Sequence, residues 1–503
     1  MNNYDVCIIG CGPGGFAAAM RAFDFGKTVC IIEGGNIGGA GIMHGALTSK
    51  TLWELSKDYA ITSAVDRGYR VTGLMVDYQA VRNTVIQAAK EKQYQILSQI
   101  ETFSPPRWTG PGSITLKRGF ARFVDSHTVS LSANCGGEEH ERVRAENFVI
   151  ATGSKPRGFP GIEIDNDRII DSDGVLDLRE FPKRLLILGA GIVGCEYASI
   201  FSNFGQTQVH LLDRQPRILP FEDEDISSFV SQKLEHIGVV IHHNAILRSI
   251  QKHPDFLAVV VDYDDGRSQV LEVDVALVSV GRDSNLGLLG LDRIGLAQSA
   301  RGAIDTDANC RVLENIYAVG DVTRHSALYN VAEMEGRYAI KAMYGKNKHP
   351  LRYHNMSTIM FFNPEVAVVG LNEQQCQERK IPYRVAFYSN ALLNRAIAMR
   401  RTDGFVKIIA SEDGRNRILG MRAAGPQASN TIMVIAHLMD QDRGLEDMMK
   451  SIHPHPSITE GIQECLRLMT GRSIYKPIVF PDYMHIRAWN PEMGYSEIAA
   501  MPV

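Results

Sequence analysis

The chain has 503 residues, a formal net charge of −4 at pH 7, 45% hydrophobic residues and 22% charged residues. This length exceeds what one hydrophobic core usually serves and indicates about three globular domains. The charge balance gives no electrostatic footprint for nucleic acid, and no apolar run reaches the ~18 residues of a membrane span, so neither partner is expected.

The first residues and the cysteines favour a cytoplasmic protein. The start, MNNYDVCIIG, enters an apolar run at once and leaves no room for the charged and apolar regions of a signal peptide. The eight cysteines are scattered, without a C-x-x-C or a zinc spacing. We therefore expect reduced thiols and no metal site.

The opening stretch carries the pattern of a dinucleotide site. The apolar run YDVCII leads into Gly10, Gly12 and Gly15, then into an alanine-rich helix and a second apolar run that ends at Glu33. Glycines here permit a tight turn, close approach of the backbone to a pyrophosphate, and close packing of helix on strand. The helix N-terminus attracts phosphates, and the acid can accept hydrogen bonds from a ribose.

The next segments connect this motif to a second cofactor contact. Residues 51–100 predict helices from their apolar spacing, 104–113 predict a proline- and glycine-rich loop, and 142–150 predict the last strand of a meander. Thr152 and Gly153 follow at the strand end, where the chain can cross close to a bound cofactor.

Residues 183–213 repeat the opening pattern. An apolar strand leads into Gly189, Gly191 and Gly194, and the following strand ends at Asp213. Two copies of this motif are far less probable by chance than one, which indicates an internal duplication of the dinucleotide site.

The coenzyme of the second site follows from charge. Asp213 favours the free 2′-hydroxyl of NAD and repels the 2′-phosphate of NADP. Arg214 and Arg217 follow directly and could hold that phosphate. We predict NAD as the preferred coenzyme, with NADP as the alternative.

The remaining chain completes the cofactor site and adds a different domain. Gly320 and Asp321 stand at the end of an apolar strand, where a carboxylate can bind a polyol chain. From about Leu351 the pattern predicts an α+β domain, and the last segment, from about Ile474, shows no clear period.

These motifs occur in a fixed order that points to a known family. The two glycine turns are accompanied by ATG at 151–153, GR at 281–282 with Asn285, GD at 320–321 and HPHPSITE at 453–460. Over roughly residues 4–470 the chain resembles the flavoprotein (pyridine nucleotide-) disulfide oxidoreductases, in their dihydrolipoamide dehydrogenase-like and soluble transhydrogenase branch.

The resemblance implies an α/β fold with two Rossmann-like doubly wound nucleotide-binding domains and a C-terminal α+β dimerisation domain that builds a homodimer. The implied parts are an FAD-binding domain at 1–155 and 284–350, an NAD(P)-binding domain at 156–283, an interface domain at 351–475 and a tail at 476–503.

The resemblance also assigns cofactor-binding residues by position. For FAD these are Gly10, Gly12, Gly15, Glu33, Thr152, Gly153 and Asp321, with Gly281 and Gly320 beside them, and for NAD(P)H they are Gly189, Gly191, Gly194 and Asp213.

One part of the family pattern is missing. The family carries two cysteines in C-x-x-x-x-C beside the flavin, and this chain has Gly41 and Ala46 at those positions. Without a dithiol it cannot reduce disulfides by the usual mechanism. We expect the loss of the thiols to open space for a flat molecule against the flavin ring.

Four catalytic positions of the family are retained. Lys50 matches the lysine beside flavin N5, and Glu196 matches the acid that pairs with it. His455 and Glu460 match the dyad that the partner subunit presents to the flavin, where it exchanges protons or persists only for packing. His44, in the altered segment, is a further candidate or a plain loop histidine.

We therefore predict an NAD(P)H-dependent FAD oxidoreductase that passes electrons from nicotinamide through flavin to a small non-disulfide acceptor such as a quinone. A soluble NAD(P) transhydrogenase and a catalytically altered flavin scaffold that binds a partner protein are the alternatives.

Overall fold

A computed structural model of the chain describes residues 2–66, 68, 70–300, 302–323, 325, 327–441, 444–450 and 452–497. Residues 498–503 of the predicted tail lie outside this part. The chain divides into two compact units, each described here by itself. Unit 1 comprises Met1–Leu55, Arg70–Phe181 and Leu277–Arg352, and unit 2 comprises Ser56–Tyr69, Pro182–Ala276 and Tyr353–Val503.

The described residues form a mixture of strands and helices, in agreement with the α/β prediction. The strands are β1 (Asn2–Ile9), β2 (Thr28–Glu33), β3 (Ser113–Arg118), β4 (Phe120–Asp125), β5 (Thr128–Ser132), β6 (Glu139–Ile150), β7 (Ser154–Pro156), β8 (Ile169–Asp171), β9 (Arg184–Leu188), β10 (Gln208–Leu212), β11 (Val240–His242), β12 (Ala245–Lys252), β13 (Leu257–Tyr263), β14 (Ser268–Val273), β15 (Val275–Val278), β16 (Arg282–Ser284), β17 (Arg311–Leu313), β18 (Ile316–Ala318), β19 (Ser357–Met360), β20 (Val366–Gly370), β21 (Tyr383–Ser389), β22 (Phe405–Ser411), β23 (Ile418–Ala424), β24 (Met484–Asn490) and β25 (Gly494–Glu497).

The helices are α1 (Pro13–Asp24), α2 (Gly39–Met43), α3 (Ala46–Ser63), α4 (Tyr78–Thr102), α5 (Ile192–Asn203), α6 (Glu224–His236), α7 (Tyr329–Tyr344), α8 (Glu373–Glu378), α9 (Asn394–Ala398), α10 (Ile432–Asp440), α11 (Leu445–Met449) and α12 (Glu460–Met469). Within the described ranges, no helix has the length and apolar character that crossing a membrane requires.

The main sheet of unit 1 is built around β1, which pairs in parallel with both β2 and β6. Val6 and Ile8 point to one face and pack with residues of α1, α4 and α7, while Cys7 and Ile9 point to the other face and pack against β4 and β5. Because both faces are covered, the strand reads as a continuous apolar run rather than an alternating one.

Unit 2 contains the second copy of the motif. Strand β10 pairs in parallel with β9 and β11, and α5 follows β9 directly. Strands β12, β13 and β14 then form an antiparallel meander. The predicted internal repeat therefore corresponds to a strand, glycine turn, helix and strand in both places.

The C-terminal part of unit 2 is a seven-stranded antiparallel sheet in the order β19-β20-β23-β22-β21-β24-β25. The last two strands come from the segment for which the sequence shows no clear period. Met484, Ile486 and Ala488 of β24 are nevertheless buried at alternate positions. This alternation is the strand signal that the aromatic and proline-rich flanks obscure.

A buried charge cluster holds β24 in place. The side chain of Lys407 is 1% exposed, and its Nζ lies 2.8 Å from Asp223, 2.6 Å from Asp225 and 3.0 Å from Glu373. Arg487 of β24 also donates to Glu373, over 2.6 Å. Burial lowers the pKa of Lys407, but the three carboxylates outweigh it and raise the pKa above its usual value, so the ammonium stays charged.

Replacing Lys407 by Met should destabilise the protein by about 3–5 kcal/mol, because methionine keeps most of the side-chain volume but removes the positive charge that faces the buried Asp223 and Glu373. Urea denaturation followed by circular dichroism, at fixed protein concentration, measures this change. Lys450→Met is the matched control, since Lys450 is 76% exposed, and it should change the free energy of unfolding by less than about 0.5 kcal/mol. Equal losses in the two variants would contradict the role of the cluster.

Candidate cofactor and acceptor site

The first glycine turn has the backbone geometry of a phosphate cradle. Helix α1 begins with Pro13, and no side chain of the described residues caps it at Gly12. Gly10 has φ +105°, and a Cβ there would lie 2.3 Å from the carbonyl oxygen of Ala151. A Cβ on Gly15 would lie 2.0 Å from the oxygen of Gly10, whereas one on Gly12 would meet no atom within 4 Å. Space is therefore open next to the uncapped N–H groups, which fits a pyrophosphate.

Glu33 has a second role that the sequence does not suggest. Its Oε2 accepts a hydrogen bond from the N–H of Cys11 over 2.6 Å, and its Oε1 accepts one from Gly35, also over 2.6 Å. The carboxylate therefore ties the glycine turn to the end of β2. Each oxygen has a further lone pair, so the predicted bond to a ribose remains compatible with this geometry.

Cys11 does not take over the role of the missing cysteine pair. It is fully buried, and burial raises the pKa of its thiol to about 12. A thiol with this pKa is protonated at neutral pH and is a poor nucleophile. All eight cysteines lie in the described part of the chain and none forms a disulfide.

In the second glycine turn, as in the first, a carboxylate accepts hydrogen bonds from backbone N–H groups of the turn. Gly189 has φ +97°, and Gly191 stands before α5 without a side-chain cap among the described residues, while Gly194 lies buried within α5. Asp213 accepts from the N–H of Ala190 over 2.7 Å. Its other oxygen accepts from the N–H of Gln215 over 2.9 Å.

Arg217, one of the two arginines considered for a 2′-phosphate, is engaged within unit 2. Its Nη2 donates to the carbonyl oxygen of Pro220 over 3.2 Å and to Oε1 of Gln374 over 3.0 Å. Binding a 2′-phosphate through this nitrogen would compete with both bonds.

Asp321 is held in a short chain of polar side chains. It accepts a hydrogen bond from the hydroxyl of Ser154 over 2.5 Å, and Arg282 donates to the same hydroxyl over 2.8 Å. Thr152 donates to the carbonyl oxygen of Asn285 over 2.8 Å, and the N–H of Asn285 donates to Gly153 over 2.9 Å. Hence the ATG, GR and GD motifs meet at one place in unit 1.

Two further glycines occupy positions where the backbone has a positive φ angle. Gly281 has φ +117° and Gly320 has φ +75°, conformations that other residues rarely adopt. The N–H of Gly320 donates over 2.6 Å to Glu335, a fully buried residue of α7. Sequence reasoning missed Glu335, because a glutamate in a helix pattern reads as a surface residue.

The pairing of Lys50 with Glu196 stays a prediction. Lys50 lies in unit 1 and Glu196 in unit 2, and the contacts of each are described within its own unit. Lys50 donates to the hydroxyl of Ser49 over 3.2 Å. Glu196 is buried on α5 and accepts a hydrogen bond from the N–H of Phe361 over 3.0 Å.

The structure brings His455 and Glu460 together. Nδ1 of His455 lies 2.8 Å from Oε1 of Glu460, and Oε2 of Glu460 accepts from the N–H of Ser457 over 2.9 Å. The carboxylate is thus fixed at the first turn of α12 and orients the imidazole. The side chain of His455 is 61% exposed, and its Nε2 lies 3.5 Å from Nδ2 of Asn394, a long contact that proton exchange at this nitrogen would have to displace.

The HPHP segment contains a second histidine beside His455. Burial lowers the pKa of His453, the other histidine of the HPHP segment. Among the described residues, no group of three or more His, Cys, Asp or Glu side chains is arranged to hold a metal ion.

The segment that lacks the cysteines is not open at its first position. Gly41 lies in α2, and a Cβ there would be 2.8 Å from Cδ2 of Tyr329 and 3.0 Å from Cγ of Pro13. The expectation that losing this thiol opens space is therefore wrong at residue 41, because an aromatic ring takes up the volume. Ala46 begins α3.

His44 lies between these two positions. Its Nε2 is 3.3 Å from the amide nitrogen of Asn36. Burial raises the pKa of Asp173, while the nearby charges of His44 and Arg282 lower it. His44 therefore lies close enough to Asp173 to influence the pKa of that carboxyl.

Comparisons with known proteins match most of this chain. The model of the pyridine nucleotide-disulphide oxidoreductases matches residues 4–336, and that of their dimerisation domain matches residues 356–466. The chain is 32% identical to dihydrolipoyl dehydrogenase of Geobacillus stearothermophilus over 94% of this chain and 97% of that one. It is 30% identical to the mitochondrial dihydrolipoyl dehydrogenase of Schizosaccharomyces pombe over 94% and 91%, respectively.

Solved structures of flavoprotein disulfide reductases show a similar fold. The flavoprotein disulfide reductase RclA from Escherichia coli, solved as a Cu(II) complex, superposes with a TM-score of 0.81 at 26% identity, covering 93% of this chain and 100% of that one. LpdA from Mycobacterium tuberculosis gives a TM-score of 0.83 at 25% identity, with the same two coverages. With its two glycine turns, the order of its motifs and its C-terminal dimerisation domain, the chain belongs to the pyridine nucleotide-disulphide oxidoreductase family, whose members are FAD-dependent oxidoreductases.

Proposed function

We propose that this family member is an NAD(P)H-dependent FAD oxidoreductase that delivers electrons to a small non-disulfide acceptor, a quinone being the leading candidate. One observation carries the proposal. Both nucleotide motifs are intact, while Gly41 and Ala46 replace the cysteine pair through which the family passes electrons to disulfides. The chain thus retains what is needed to take electrons in and lacks the usual route for passing them on.

The residues of the first site fit FAD. The open cradle at Gly12 and the uncapped start of α1 suit its pyrophosphate, Glu33 suits its ribose, and Asp321 suits its ribityl chain. When bound, FAD supplies the redox chemistry, by accepting a hydride and releasing two electrons. Lys50 would place positive charge near the reduced ring.

The overall reaction balances as NAD(P)H + H⁺ + quinone → NAD(P)⁺ + hydroquinone. It consumes one proton from solution in addition to the hydride. His455 is the residue we assign to deliver protons to the quinone oxygens, since Glu460 fixes one ring nitrogen and the side chain is largely exposed, with only a long 3.5 Å contact from Asn394 to the other nitrogen. The resemblance places this dyad at the flavin of the partner subunit, so the assignment requires the homodimer.

We further propose NAD as the preferred coenzyme. The carboxylate of Asp213 stands at the end of β10, where a 2′-phosphate would meet its negative charge. The engagement of Arg217 by Pro220 and Gln374 supports the same preference.

Anaerobic mixing of the FAD-loaded protein with NADH should bleach the flavin absorbance, and adding menadione should restore it. NADPH should bleach it at least about tenfold more slowly, since a charge repulsion of about 1.4 kcal/mol suffices for this factor. Flavin that recolours only with thio-NADP⁺ would indicate a transhydrogenase instead. No bleaching with either nucleotide would refute both enzyme functions and favour the scaffold.

Replacing Glu460 by Gln should slow the menadione half-reaction by about 100-fold, because general acid catalysis typically contributes 10²–10⁴-fold and Gln orients the imidazole less well. Stopped-flow spectroscopy separates this step from flavin reduction by NADH, which should keep its rate. Glu446→Gln is the matched control, since Glu446 also lies in the first turn of a helix, α11. An unchanged menadione half-reaction in Glu460→Gln would mean that the dyad serves packing alone.

A further inference from the structure

Tyr329 lies on α7, a helix that packs closely against α1. Helix α7 lies on α1 so tightly that a Cβ on Gly336 would be 2.2 Å from the carbonyl oxygen of Gly14, and one on Gly14 would be 3.1 Å from the oxygen of Ala332. Residues 329, 332 and 336 are spaced by three and four, so they share one face of α7. Tyr329 is the first residue of that face.

The ring of Tyr329 extends this contact past the start of α1 and reaches α2. A Cβ on Gly41 would lie 2.8 Å from Cδ2 and 3.1 Å from Cε2 of the ring. Real Cβ atoms do not approach ring carbons to 2.8 Å, so residue 41 can only be glycine while the ring is there. The two residues are therefore matched to each other in size.

We propose that Tyr329 is a specificity-determining residue that takes the place of the redox disulfide: its ring fills the volume that a thiol on residue 41 would need and forms a wall of the acceptor site. This inference rests on the proposed function, because it names what the acceptor meets where the family has sulfur. It assigns the site a planar, aromatic acceptor in place of a disulfide.

The chemistry of the ring suits that role. An aromatic wall attracts a flat ring by offset stacking. Burial raises the pKa of the phenol, and the charge of Glu333 adds to the effect, so the side chain is neutral at physiological pH. A tyrosine side chain carries no thiol. It therefore cannot form a disulfide and cannot pass electrons to lipoamide.

The size argument is tested by restoring the thiols. We expect Gly41→Cys/Ala46→Cys to show no long-wavelength charge-transfer absorbance between thiolate and flavin after reduction with two electrons, because the ring blocks residue 41. Adding Tyr329→Ala to these two substitutions should produce the band, with an amplitude at least about tenfold larger than in the two-cysteine variant. Adding Tyr329→Phe instead should not, since it keeps the ring.

Flavin content and circular dichroism are measured for each variant, so that loss of folding is recognised. If the two-cysteine variant fails to fold and Tyr329→Ala restores its folding, the steric conflict is equally demonstrated. A charge-transfer band of equal size with and without Tyr329→Ala, or one restored by Tyr329→Phe, would overturn the size argument.

The acceptor wall is tested by kinetics with menadione. Tyr329→Ala should raise the KM for menadione about five- to tenfold, the loss expected when one aromatic contact is removed, while bleaching by NADH keeps its rate. Tyr338→Ala is the matched control, because Tyr338 lies on the same helix and its hydroxyl donates to the carbonyl oxygen of His349. An equal rise in KM in both variants, or no rise in Tyr329→Ala, would show that Tyr329 does not line the acceptor site.

The charge-transfer measurement and the menadione kinetics together separate this inference from the proposed function. If NADH bleaches the flavin but menadione never restores it, the quinone reductase is refuted. The charge-transfer arm then still decides whether Tyr329 occupies the place of the thiol.

Discussion

Direct contact of backbone with backbone is the constraint on which unit 1 depends. Gly10 lies against Ala151, Gly15 lies against Gly10, and Gly336 lies against Gly14, each at a distance that leaves no room for a Cβ. These contacts bring the glycine turn, the strand end at 151 and helix α7 together at one point. A methyl group at any of them would push apart elements that must meet around the cofactor.

The acid at the end of each second strand reinforces that constraint. Glu33 and Asp213 occupy equivalent places in two units, and each carboxylate accepts N–H groups on both of its oxygens. An acid in this position is usually explained by the ribose that it binds. Here it also fastens the turn before any ligand arrives, so the geometry of the phosphate cradle is fixed by the chain itself.

Much of this arrangement could be predicted from the sequence, since it follows from local patterns. The glycine spacing, the apolar runs and the acids each report on a few neighbouring residues, and they identified both nucleotide motifs. Strand β24 was missed because prolines and aromatic residues surround its alternating Met484, Ile486 and Ala488. Glu335 and Tyr329 were missed for another reason: their roles come from residues 15 and 288 positions away in the chain, at Gly320 and Gly41, and no local pattern reports such contacts.

The pairing of Gly41 with Tyr329 has a consequence for how this sequence can change. A thiol cannot return to residue 41 in one step, because the ring already occupies its place. The ring must first become smaller, and that step by itself would remove the packing of this partly buried side chain with no sulfur to replace it. The order of substitutions therefore matters: from the present sequence, a thiol at residue 41 becomes possible only after the side chain at residue 329 has become smaller.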